Sequence, residues 1–362
     1  MKTLLYKFLA FGFVITTLIA CKDNLNKPDL NALKPTIVTE QTPNDTDDPA
    51  IWIHPTDPSQ SLVIGTDKDV DGGIYAYNLE GEIVNKVLNL KRPNNVDIAY
   101  GFAYGDQKID IAVVSERKAN SIRVFRLPDL LPIDNGGIKV FENEIEKEHD
   151  EPMGVALYSK DTDSVRKTYA IVGRKSGPLE NYLWQYELYT DNDTIVKGNK
   201  VRSFGTYSGK KEIEAIAVDN ELGYVYYADE TAGVRKYYAD PSLDNNTELS
   251  FFAQNDAQRD HEGIAIYKTG KSTGYVLVSD QQANKFLIYP REGSLESKHD
   301  HKLITSVSVS TIECDGAELT HVNLGKQFPS GMLVAMTNGK AFQYYDWRLI
   351  QDEIDKVLSS VK

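Results

Sequence analysis

The 362-residue sequence predicts an all-β fold, a six-bladed β-propeller with a short C-terminal helix, and three observations carry that expectation. An apolar tetrad recurs as AIWI (residues 50–53), DIAY (97–100), GVAL (154–157), AIAV (215–218), GIAI (263–266) and ELTH (318–321). The intervals are roughly 50 to 60 residues, the size of a four-stranded blade. After each tetrad comes a second β-rich run ending in polar residues: LVIGTDK, IAVVSER, YAIVGRK, VYYADE, VLVSDQ and LVAMTN. A third run then carries an aromatic, at Tyr77, Phe125, Tyr186, Tyr237, Tyr289 and Tyr344. Repeated short apolar runs separated by polar and Gly-containing turns fit strands better than helices.

Residues 1–20 read as a lipoprotein signal peptide. Lys2 and Lys7 give the positive end, FLAFGFVITTLIA (8–20) the apolar core, and LIAC closes it at Cys21, the expected lipidation site. The apolar stretch is shorter than the roughly 20 residues that span a bilayer. The expected location is therefore the cell envelope outside the cytoplasm, with the membrane reached only through the lipid anchor. Residues 21–39 are polar with two prolines and are expected to form a flexible tether, with the propeller domain over 40–362. Apart from Cys21 the only cysteine is Cys314, which leaves no intramolecular disulfide once Cys21 is lipidated. The tail DWRLIQDEIDKVLSSVK (346–362) has helical spacing, with Asp346 as its N-cap.

A formal charge of -13 argues against nucleic acid and anionic membrane surfaces as partners, since both favour a basic stripe. Cations are the more natural companions. No oligomerisation signal stands out, and a monomer is expected.

Three residues before each tetrad stands Asp47, Asn94, Glu151, Glu212, Asp260 or Asp315, an acid in five of six copies. Equivalent strands starting at equivalent heights would set these side chains around one mouth of the central channel. Asp48, Glu214, Glu262 and Glu318 add further acids at the same edge. Gathered carboxylates repel one another unless something compensates, and hard oxygen ligands of this kind suit several Ca²⁺ ions. The ends of the second strands bring Lys68, Arg117 and Lys175 from copies one to three, against Glu230 and Asp280 from copies four and five. One flank would be cationic and able to hold phosphate, the other acidic and able to hold calcium. No nucleophile-and-base signature is read from the chain, which favours a metal-activated water.

The quoted stretches now resemble the β-propeller phytases. DDPAIW (47–52), TDK (66–68), NNVDIAY (94–100), EPMGVALY (151–158), DHEGIAIY (260–267) and FPSGMLVA (328–335) carry the resemblance, in order, from about Asp47 to Trp347. The resemblance implies a calcium-dependent phosphomonoesterase of the 3-phytase type. It would hydrolyse phytate, or another phosphorylated small molecule, to lower inositol phosphates. It further implies metal ligands or supports at Asp47, Asp48, Glu214, Glu230, Asp260 and Glu262, with Asp97 and Asp315 at the same mouth. Lys68, Arg117 and Lys175 would hold phosphate, with Asn95 beside them, and Glu214 and Glu230 would join the three basic residues in catalysis. Glu313 and Glu318 are weaker candidates. Met153 stands where the family usually has tyrosine, and glutamates replace some of the family's aspartates in IECDGAEL (312–319). Two other readings remain open: a calcium-dependent lactonase or esterase, which would not need the basic trio, and a lipoprotein that binds its ligand without turnover.

Overall fold

Six antiparallel sheets follow one another along the chain in the computed structural model, which describes residues 26–360 apart from 164, 192 and 193. The expected signal peptide and Cys21 lie outside the described residues. The tetrads fall on, or within one residue of, the innermost strands, Thr46–Trp52, Pro93–Tyr104, Pro152–Asp161, Ile216–Asp219, His261–Lys268 and Ala317–Thr320. Each of these strands touches its counterparts in the two neighbouring blades, and the circuit closes from the sixth back to the first. The expected six-bladed propeller is thus observed.

The second and third strands are apolar on both faces because each blade packs between two others. Tyr77, Phe125, Tyr186, Tyr237, Tyr289 and Tyr344 are all buried. Some of them meet rings across a blade boundary, edge-on: Tyr77 meets Phe342 at 5.8 Å between centroids, and Tyr289 meets Phe252 at 5.0 Å. Such pairs add roughly 0.5–1.5 kcal/mol beyond the area they bury.

The ring is closed by a strand from the other end of the chain. Ile37–Val38 forms the outer strand of the sixth blade, pairing Ile37 with Tyr344 and Val38 with Gln343. Leu33 bridges to Val309 in parallel, and Ala32 is buried. The tether expected over 21–39 is therefore corrected: from about Ala32 onward the segment is part of the fold and ties the first blade to the last two. A two-residue strand has too little sequence to show a period, so composition alone reads it as linker.

The only α-helix among the described residues is Trp347–Ser360. Asp346 caps it, accepting from the Arg348 N–H at 3.0 Å. Trp347, Ile350 and Ile354 are its buried face, and the Trp347 ring stacks on Tyr267 at 3.6 Å.

Candidate active site

The acidic mouth is built by a bulge repeated in four blades. From Thr46 to Pro49, Pro93 to Val96, Pro152 to Val155 and His261 to Ile264, three steps of the inner strand oppose two of its partner. Ordinary pleating would send consecutive side chains to opposite faces, and the extra residue breaks that alternation. Asp47 and Asp48 consequently both address the channel. Asp47 meets Lys68 and Asn94, while Asp48 lines the central cavity of about 340 Å³ and accepts from the Val96 N–H. Asn94 and Asn95 repeat the arrangement one blade on.

Hydroxyls pin the bulges together. Thr66 accepts from the Asp48 N–H at 3.0 Å and donates to the Asn94 carbonyl at 2.5 Å. Ser115 accepts from the Asn95 N–H and donates to the Met153 carbonyl, and Ser279 donates to the Cys314 carbonyl. Adjacent inner strands approach so closely that a Cβ on Gly154 would lie 1.9 Å from the Glu214 carbonyl oxygen, which only glycine avoids.

One backbone hydrogen bond fixes the residue that follows each second strand. Lys68 donates to the Asp45 carbonyl, Arg117 to Arg92, Lys175 to Glu151, Glu230 to Glu212 and Gln281 to Asp260. Lys68, Arg117, Lys175 and Glu230 thus occupy equivalent stations, as expected. In the fifth blade the station belongs to Gln281, not to Asp280, whose carboxylate accepts twice from the Gln258 N–H and serves its own loop.

Side chains converge from these stations. Lys68 Nζ bridges Asp47 at 2.5 Å and Asp315 at 2.7 Å. Asn94 donates to Asp47 at 3.1 Å and to Glu214 at 2.6 Å. Glu212, Glu214 and Glu230 each offer a carboxylate oxygen, all within 4.8 Å of one another. Lys175 pairs with Glu212, and Arg117 with Glu151 at 2.7 Å. On the far flank Asp260 accepts from Gln282 at 2.9 Å, and Glu262 is buried.

The phytase family model matches residues 16–356, a span that includes every one of these stations. The chain belongs to the phytase family. It is also 30% identical over 327 residues, 86% of this chain and 81% of the relative, to a 3-phytase of Bacillus subtilis (strain 168). The resemblance carried by the quoted motifs is borne out.

Electrostatically the mouth of this phytase-family protein is overfilled with acid. Burial pushes the Asp47 carboxyl well above the usual range, with Lys68 opposing. Burial also works against the charge of Glu214, but Lys68 and hydrogen bonds from Asp47 and Asn94 outweigh it and hold Glu214 below its ordinary value. Glu230 is pushed up to about 8 by burial, with repulsion from Glu214 and Glu212 adding to it and Lys211 opposing. Glu262 is raised strongly by burial and by Glu230, Asp315 and Glu214. Buried oxygens here that lack a hydrogen-bond partner include Asn94 Oδ1, Asn95 Oδ1, Glu230 Oε1, Asp260 Oδ1 and Glu262 Oε2. Buried polar atoms are seldom left unpaired, and an oxygen-only set of this kind fits a hard divalent cation.

Some residues stand apart from this convergence. Asp97 lies deeper in the channel, accepting from the Leu157 and Ile98 N–H groups. Glu313 sits in a loop with its own N–H donated to Asn284. Met153 is buried and offers no hydroxyl. The run G-K-S-T-G (270–274) has the spacing of a nucleophile motif that the sequence reading passed over. It forms the hairpin between His261–Lys268 and Gly274–Asp280, at the end of the blade opposite the mouth, so it is no nucleophile elbow.

Sequence reasoning missed Lys211, whose ammonium bridges Glu230 and Asp260 on the flank expected to be purely acidic. Burial lowers its proton affinity, but the contacts with Glu230 and Asp260 outweigh this and the net direction is up. It also missed the pinning hydroxyls. Their signal was present in the T-D-K, S-E-R and S-D-Q endings of three second strands.

Proposed function

We propose that this protein is a phosphomonoesterase that hydrolyses phytate to lower inositol phosphates and phosphate, with Ca²⁺ ions in the channel mouth as its cofactor. The observation that carries this reading is the juxtaposition just described: unpartnered oxygens around Glu212, Glu214 and Glu230, walled by Lys68, Arg117 and Lys175. Calcium held by Asp47, Asp48, Glu214, Glu230, Asp260, Glu262 and Asp315 would neutralise phosphate charge and acidify the attacking water. The protein supplies the rest. Lys68, Arg117 and Lys175 donate charge-assisted hydrogen bonds to phosphate oxygens, and their spread over three blades suits a substrate carrying several phosphates. Asn94 orients Glu214, whose carboxylate is placed to accept a proton from water. A neutral lactone would have no use for three cations, which disfavours the lactonase alternative.

The test is phosphate release from phytate and from a simple phosphomonoester, each with Ca²⁺ and with excess chelator. The expected result is preference for phytate and loss of activity on chelation. Undiminished phytate hydrolysis in chelator would overturn the calcium mechanism, and binding without release would favour a capture protein.

The proposal extends to location. The Asn26 side chain donates to the Gln282 carbonyl at 2.7 Å, and the Gln282 amide holds Asp260. Five residues span at most about 18 Å, so a lipid on Cys21 would set the mouth near the bilayer of the cell envelope. Labelling with a fatty acid, lost in Cys21→Ser, is the expected outcome.

A further inference from the structure

The flank that the sequence presents as acidic contains its own cation. Lys211, in the connector that enters the fourth blade, sends its ammonium between Glu230 and Asp260, the latter at 3.0 Å. Glu230 is all but fully buried, whereas the Lys211 side chain is 37% exposed. Glu230 Oε1 and Asp260 Oδ1 have no hydrogen-bond partner. The lysine therefore holds one oxygen of each carboxylate, Glu230 Oε2 and Asp260 Oδ2, and leaves the other oxygen of each without a hydrogen bond. A divalent cation reaching those oxygens would have to approach the ammonium or displace it.

We propose that Lys211 is a tethered competitor for the metal: it occupies the Glu230–Asp260 flank of the metal-free protein and leaves when an ion enters. This rests on the calcium reading above and adds the device that sets the affinity. Two ligands that exclude one another are coupled reciprocally, so removing the tethered one strengthens the other. The lysine also protects the empty mouth, because two buried carboxylates without a counter-charge would destabilise the fold. Its side chain, 37% exposed, gives the displaced ammonium room to move out into the mouth.

The experiment compares Lys211→Met, which keeps the apolar stem, with Lys211→Arg and with Lys210→Met. Lys210 is the right control because its ammonium bonds the Thr231 carbonyl and no carboxylate, yet its loss changes the net charge equally. Ca²⁺ binding is read by titration calorimetry and the melting temperature in chelator by circular dichroism, neither of which needs activity. Lys211→Met is expected to bind Ca²⁺ roughly fivefold more tightly or better, the lower end of ordinary couplings, and to melt earlier than wild type in chelator. Lys211→Arg and Lys210→Met are expected to follow wild type in both. Equal or weaker Ca²⁺ affinity in a folded Lys211→Met would overturn the inference, as would an equal gain in Lys210→Met, which would mark bulk charge. If wild type itself bound no Ca²⁺, the calcium reading would fall and this inference with it.

Discussion

The mouth of the channel and its interior both bury carboxylates, but they hold them in different ways. At the mouth the ring acids are paired with side-chain cations: Asp47 and Asp315 with Lys68, Glu151 with Arg117 and Lys118, Glu212 with Lys175, and Asp260 with Lys211. In the interior Asp97 and Glu318 line the cavity and accept hydrogen bonds from backbone N–H groups, those of Leu157 and Ile98 and of Leu319. Burial then pushes Asp97 up to about 6 and Glu318 up to about 8. Desolvation disfavours charge in both places. The mouth answers with side-chain cations that can be exchanged for a metal or a phosphate, and the interior answers with fixed backbone N–H groups.

The largest expected effect tests whether the exchangeable charges do the chemistry. Lys68→Ala is expected to lower phosphate release from phytate by about 10²–10³-fold, the usual cost of removing a donor aimed at developing charge. Lys268→Ala is the partner experiment. Lys268 also borders the cavity, but from the opposite end of its strand, where it pairs with Glu221 at 3.2 Å. Its loss is expected to change the rate no more than about twofold, as for a surface pair. Comparable losses in the two variants, measured as initial rates on folded protein, would erase the distinction between mouth and interior.

The second effect is thermodynamic. If the mouth exchanges its charges for Ca²⁺, an ion present at a hundred times its dissociation constant stabilises the fold by about 2.7 kcal/mol. For a domain of this size that is a rise in melting temperature of roughly 4 °C over the chelated protein. A melting curve indifferent to Ca²⁺ would mean that the unpartnered oxygens are not its ligands.

What the sequence made legible follows the same division. The six tetrads and the buried aromatics stood out because every blade repeats the same burial, so the period survives substitution. The ring positions were legible for the same reason, since one backbone hydrogen bond sets the same height in blade after blade. The bulges were not, because an extra residue between Thr46 and Pro49 leaves no mark in composition, yet it turns both Asp47 and Asp48 toward the channel. Asp280 misled because the station fell one residue later, at Gln281. Lys211 was missed because it belongs to a connector and reaches the flank only through the length of its side chain. Ile37–Val38 read as linker because their partner strand, Ala341–Asp346, lies at the other end of the chain.

The smallest effect addresses the protons of the interior. Glu318 has an ordinary value of 4.5 and is raised to about 8 in the fold, first by burial and then by repulsion from Asp97. Between those two values the folded protein keeps a proton that the unfolded chain has released. The native state therefore binds more protons than the unfolded one, and stability falls as pH rises through this window. Glu230, also at about 8, and Asp97, at about 6, slope the same way in chelated protein. Glu318→Gln removes one titrating group while its amide oxygen can still accept from the Leu319 N–H. Because a tenfold change in proton affinity is about 1.4 kcal/mol, the variant is expected to match wild type at pH 5. At pH 8.5 it should exceed wild type by on the order of 1–3 kcal/mol, read by urea denaturation in chelator. Parallel pH profiles for the two proteins would mean that the channel carboxyl is ionised after all. The interior would then need a cation as much as the mouth does.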